Sequence, residues 1–376
     1  MELLCIFAAL AVLFLFCAFL TLKCNLHAAL APLSALGIAV AWLTAAGMAN
    51  LLLPGTVLLW AVFAGSGVWA LVPHKGQRPA CRRLVTPGAV LFWGMALAFA
   101  VYFFIRQPLA TKYDELSLWA TAVKVTKADN RLYALATLGT PWPQTQNPGL
   151  PLLSYFFQFL GHYADWKIYV AYDVLAAAVF AAVLGGLNFR QYRIAVPLAA
   201  ICWFAPWFLT VYNHTIYLDT TYMTAYGDVP AGLALGGAVA LWLALRKTGG
   251  PKWAVLPVLA LAANIKANTF VLSLVAAGLM AVDAWLFAEH PFKKGLARRT
   301  GFAIACFAAR VSEPAFTYIR DLCQSAVVPN LHFAAILPGY CNDGSELGSS
   351  AHPNYAGQRK MAMLLIPYVS TLTGWE

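Results

Sequence analysis

Polar residues are sparse along most of this chain, and where they fall they cut it into apolar blocks of similar length. Such blocks occupy residues 3–22, 29–50, 54–73, 87–105, 168–187, 194–211, 229–245, 253–267 and 269–288. About twenty apolar residues at 1.5 Å rise cross a hydrocarbon core of roughly 30 Å, so each block predicts a membrane-spanning helix. The pattern as a whole predicts an all-α polytopic membrane protein with about nine transmembrane helices. Composition agrees: hydrophobic residues make up 61% of the 376 and charged ones 11%, more apolar surface than a water-soluble fold can hide.

The first block carries Glu2 where a signal peptide would have a basic cluster, and no small-residue cleavage site follows it, so it is expected to be a retained anchor. Lys23, His74 to Arg83, Arg190 with Arg193, Arg246 to Lys252 and Lys293 to Arg299 fall in alternate connections. By the positive-inside bias these face the cytoplasm, which puts the amino terminus outside. The net charge of +10 follows from those loops and forms no basic stripe, so no nucleic-acid partner is expected. The eight cysteines include no CxxC pair, and Cys5, Cys17 and Cys202 sit inside apolar blocks. They are expected to be packing residues, with neither a zinc site nor a disulfide scaffold.

The opposite side receives two polar connections, about 107–167 and 212–228, and candidate chemistry collects there. The first opens with Tyr113, Asp114, Glu115, Leu116, Ser117, Leu118 and Trp119. Adjacent acids suit a helix amino terminus, with Asp114 as a cap, and equally suit a base held at the lipid boundary. The loop continues through Lys124 and Lys127 to the turn Asn147, Pro148, Gly149, then to an apolar stretch, Leu150 to Leu160, too short to span and expected to be interfacial or re-entrant. The second connection carries Asp219 and Asp228. Lys266, within Asn264 to Thr269, lies where two apolar blocks meet on the same side; a lysine in so apolar a setting needs a partner or must snorkel. Acids beside a lysine suit transfer of a sugar from a lipid phosphate, in which a carboxylate receives the acceptor's proton and a cation holds the departing phosphate.

Asp114 to Trp119 with the lysine that follows, Asn147 to Gly149, Ile216 to Asp219 and Ile265 to Asn268 resemble, in that order, the loop motifs of GT-C superfamily membrane glycosyltransferases. The resemblance covers about 85–290. It implies a polyprenyl-phosphate (lipid-linked) sugar donor, an inverting transfer outside the cell membrane, and a cell-envelope glycan or lipid as acceptor. Asp114 is the implied base and Lys266 the phosphate contact. The candidate catalytic residues are Asp114, Glu115 and Asp219, and the candidate substrate-binding residues are Lys266, Asp228, Trp119 and Lys124. No cofactor is implied; a divalent cation is the one ion left open. The blocks before the acid pair outnumber the single helix of many members.

The carboxyl end has another character. After Arg299 the apolar stretch Gly301 to Ala309 stops at about half a span. Beyond it an α/β pattern is expected: a helix over Phe316 to Leu322, a strand over Leu331 to Leu337 and a helix over Met361 to Val369. Gly348 to Asn354, with Gly357, Lys360, Met361 and Ala362, resembles the last block of SGNH (GDSL-type) carbohydrate esterases, over about 312–374. There His352 stands where the general base belongs. The Gly-Asp-Ser nucleophile turn has no counterpart in this chain, and Ser349 stands where many members have the orienting aspartate. The chain thus divides into 1–309, a GT-C-like transmembrane region, and 310–376, an incomplete and inert esterase-like tail. A fused or frame-shifted junction is expected near Ala309 to Glu313, leaving a truncated transferase. Two rival readings are a transporter or flippase whose intramembrane charges line a pathway, and a membrane-anchored acyl esterase remnant.

Overall fold

The computed structural model describes residues 1–72, 81–112, 115–133, 147–208, 210–212, 218–220 and 224–286. All lie in the first of two units into which the chain divides, Met1–Lys294. The expected tail, with His352 and the junction, lies outside the described residues.

The architecture is helical: α1 Glu2–Leu22, α2 Ala31–Met48, α3 Leu52–Leu71, α4 Pro87–Arg106, α5 Ala120–Asp129, α6 Gly149–Gln158, α7 Trp166–Val183, α8 Tyr192–Phe208, α9 Asp228–Thr248, α10 Leu256–Ala263 and α11 Ala267–Leu286. Between α8 and α9, two three-residue strands pair antiparallel: β1 Thr210–Tyr212 and β2 Leu218–Thr220, with Val211 opposite Asp219. Among the described residues seven helices (α1, α2, α3, α4, α7, α9 and α11) are long and apolar enough to cross a membrane, so the chain is a membrane-embedded α-helical protein.

The two remaining blocks come out short. Block 194–211 forms α8, of 17 residues, and block 253–267 ends at Ala263. In the latter, Asn264 turns its side-chain amide back onto the Ala260 carbonyl, and the Thr269 hydroxyl donates to the Ala262 carbonyl while accepting from the Lys266 N–H. These bonds close the turn before α11 starts.

Local chemistry explains the other ends. Thr86 caps α4, its hydroxyl accepting from the Ala89 N–H at 3.3 Å with Pro87 in the first turn. α9 begins with Asp228, ends with Arg246 and Lys247, and stops at Gly249 in the left-handed region (φ 68°).

Packing relies on close approach, as it must where lipid gives no hydrophobic drive between helices. α7 is the centre: every residue is buried except Phe180 and Val183, and α4, α6 and α9 lie against it. α2 and α10 run parallel and in step. The Ser34 hydroxyl reaches the Ala254 carbonyl at 3.0 Å, and three residues on, a Cβ at Gly37 would lie 2.6 Å from the Pro257 carbonyl. All ten residues of α6, expected as an interfacial or re-entrant segment, are buried among α1, α2, α5 and α7. Protein rather than lipid encloses it, which satisfies the same need for partners at its ends.

The connections sort to two ends. One end, the loop end, gathers Glu2, the α2–α3 hairpin, the described residues between Gln107 and Asp165, residues 225–227 and the turn at 264–266: the Glu2 carboxylate accepts from the His162 N–H (3.2 Å), the Asp165 carboxylate from the Ala110 N–H (3.0 Å), and the Asn264 carbonyl from the Gly149 N–H (2.8 Å). The other, the basic end, gathers residues 23–30, 81–86, 184–191 and 246–256; Arg83 Nη2 donates to Asn25 Oδ1 at 3.0 Å, and Gly186 abuts Lys247 and Thr248.

Candidate functional site

The sunken turn between α10 and α11 sets the depth of the site. Because α2 and α10 advance in step, Asn264 is level with Thr44, and both line one cavity. α2 continues to Met48, so the turn lies about 6 Å, one helical turn, below the end of α2.

Lys266 rises from that turn. Its ammonium pairs with the Asp228 carboxylate at the first turn of α9 and stands 5.8 Å from the centre of the Trp119 ring. Asp228 is 70% exposed and Lys266 27%, so the pair lies at the surface of the bundle, and an exposed pair contributes at most about 1 kcal/mol. Trp119 is buried, and it is held by Gly227: a Cβ there would come within 2.3 Å of the indole. The ring therefore walls the lysine and offers little free face to a sugar.

Glu115 has another environment. It is 2% exposed, and its carboxylate collects four donors. The N–H groups of Thr111 and Lys112 reach one oxygen at 3.1 and 3.2 Å; the Ala225 N–H reaches the other at 2.7 Å, with the Tyr169 hydroxyl at 3.4 Å. One buried acid thus joins the start of the first long loop, the segment entering α9 and the central helix α7. Its charge is spent on backbone donors. Residues Glu115–Trp119 form a single π turn leading into α5.

Of the sequence-predicted residues, the structure brings together Trp119, Asp228 and Lys266, with Glu115 behind them. Lys124 lies apart, 6.0 Å from the Tyr163 ring. The Asn147–Gly149 turn does meet the Lys266 turn, through Asn147 Nδ2 on the Ala263 carbonyl at 3.1 Å. Asp114 lies outside the described residues. Asp219 is described only as backbone in β2; its side chain lies outside them. Among the described residues no three of His, Cys, Asp and Glu stand close enough to hold a metal ion.

Several charged groups have partners or surroundings that the sequence reading did not assign. Glu2 is the partner of Lys167, a fully buried lysine whose ammonium also donates to the His162 carbonyl at 2.6 Å. Lys127 donates to the Phe159 carbonyl at 2.7 Å, and burial, then the charge of Lys167, hold its ammonium below the ordinary lysine range. Asp173, mid-way along α7, is 2% exposed and has no hydrogen bond or ion pair among the described residues. A lone acid inside block 168–187 was the signal for it. For Glu2 and Lys167, 165 residues apart, the sequence carries none.

No protein-family model, no curated protein and no solved structure matches this chain.

Proposed function

We propose that the protein is an integral membrane glycosyltransferase that moves a sugar from a polyprenyl-phosphate donor to a cell-envelope acceptor at the loop end, outside the cytoplasmic membrane. The observation that carries this reading is Lys266, in the turn before α11 about one helical turn below the end of α2, paired with an exposed acid. A lipid phosphate reaches that depth, and the exposed Asp228 is displaced from the lysine at little cost.

In the proposed reaction an acceptor hydroxyl attacks the anomeric carbon as the bond from that carbon to the phosphate oxygen breaks. The electron pair leaves with the phosphate, whose growing charge Lys266 holds. The acceptor's proton passes to a carboxylate, assigned by the loop resemblance to Asp114, late in the step because an aspartate is a weak base. Glu115, saturated by backbone donors, serves as the clasp that sets both loops around that point.

The test is sugar transfer from a labelled polyprenyl-phosphate donor in membranes. Asp114→Asn should insert normally and lose roughly 10²- to 10⁴-fold in rate. Full activity in that variant removes Asp114 from the mechanism.

One observation favours a second reading. Asp173, buried and unpartnered in α7, is the kind of group that lines a proton or ion path in transporters. Under that reading Asp173→Asn abolishes pH-driven solute flux in proteoliposomes, while a transferase tolerates it.

A further inference from the structure

The basic end holds a cavity of about 320 Å³ between the last turn of α1, the 23–30 connection, the entry to α4 and the last turn of α9. Its polar lining is Thr21, Asn25, His27, Arg83, Thr86 and Thr248, and no carboxylate is among its described lining residues.

Those groups are weighted toward donors. The guanidinium of Arg83 is exposed and spends Nη2 on Asn25, which leaves it further N–H groups. His27 Nδ1 accepts from the Ala29 N–H at 3.4 Å, and burial holds the ring below the ordinary histidine range, so the neutral ring carries its proton on Nε2. The Thr86 oxygen accepts the helix cap, which frees its hydroxyl proton. The Thr21 hydroxyl, in a residue 2% exposed, has no hydrogen-bond partner among the described residues. The amino end of α4, a 20-residue helix, adds its positive dipole end to the same space. A set of donors with a fixed cation, no acid, and a position at the helix ends suits one ligand chemistry.

We propose that this cavity binds a phosphate group, either that of an anionic lipid headgroup or free phosphate. Arg83 supplies the charge, and Thr21, His27 and Thr86 supply hydrogen bonds. The proposal does not rest on the glycosyltransferase reading, and it concerns the opposite end of the bundle.

The test is binding of phosphatidic acid to the full chain in phosphatidylcholine nanodiscs, read by native mass spectrometry, with inorganic phosphate as competitor. Arg83→Gln should weaken binding about tenfold, as expected for a lost charge-assisted contact, and Thr21→Val about threefold. Arg193→Gln, exposed at the same end but outside the cavity, should leave binding unchanged. Displacement by inorganic phosphate that also depends on Arg83 identifies a free-anion site; retention of the lipid identifies a headgroup site. Equal losses for Arg83→Gln and Arg193→Gln would mean that general surface charge attracts the lipid and would overturn the proposal. Absence of binding by either probe would overturn it too.

Discussion

The two ends of the bundle handle charge in opposite ways. At the loop end acids and bases are mixed, and Glu2, Glu115, Asp165 and Asp228 each accept hydrogen bonds from residues distant in sequence. At the basic end Asp283, bound to Arg246 at 2.8 Å and to the Trp242 indole at 2.8 Å, is the sole acid among the described residues. Acids at the loop end therefore divide into two kinds. Glu115 is buried and saturated and ties loops together; Asp228 is exposed and holds a lysine that a ligand can take. An acid count alone would have treated the two alike.

The largest expected effect breaks the first kind. Glu115→Ala strips the acceptor from three backbone N–H groups and a tyrosine hydroxyl, which should cost about 3–5 kcal/mol and lower Tm or expression sharply. Glu115→Gln, which keeps the shape and one acceptor, should lose less. If Glu115→Ala folds normally yet is inactive, Glu115 belongs to the chemistry and the division fails.

The closeness of Gly227 to Trp119 sharpens the second kind. Gly227→Ala places a methyl in the indole and should displace the wall beside Lys266, cutting transfer at least tenfold with a stability loss of about 1–3 kcal/mol. Unchanged transfer would show that Trp119 does not position the lysine. A smaller effect belongs to the basic end: as pH falls below 6.5, unfolding should take up a proton that the buried His27 refuses, so stability declines. The decline should be at most about 1.4 kcal/mol per pH unit and should be absent in His27→Gln, measured as Tm against pH.

Sidedness sets the frame for these comparisons. Cys81 is exposed at the basic end. In a background without the other cysteines, Cys81 and an introduced His162→Cys should react with an impermeant maleimide from opposite faces of the membrane. Labelling from one face would end the assignment of the ends.

Much of this was legible in the chain. Block 3–22 became Glu2–Leu22, and block 87–105 became Pro87–Arg106. Lys266 and Asp228 were legible as charges bordering apolar blocks. What the pattern concealed depends on partners far away. Glu115 looks like Asp114's twin until Ala225, 110 residues on, arrives to bond it. α10 stays short because Asn264 and Thr269 close its turn, and hydropathy averaged over 253–267 smooths across Asn264. Likewise α6, too short to span, reveals its burial only once α1, α2, α5 and α7 surround it.

The central claim is that Lys266 at the loop end holds the departing phosphate. It is tested most directly by transfer from a labelled polyprenyl-phosphate donor, comparing Lys266→Met with Arg193→Gln and following both by Tm. Lys266→Met should keep Tm to within the small value of an exposed pair and lose roughly 10²-fold or more in transfer, while Arg193→Gln retains it. Transfer that survives Lys266→Met, or that falls equally in both variants, would contradict the account.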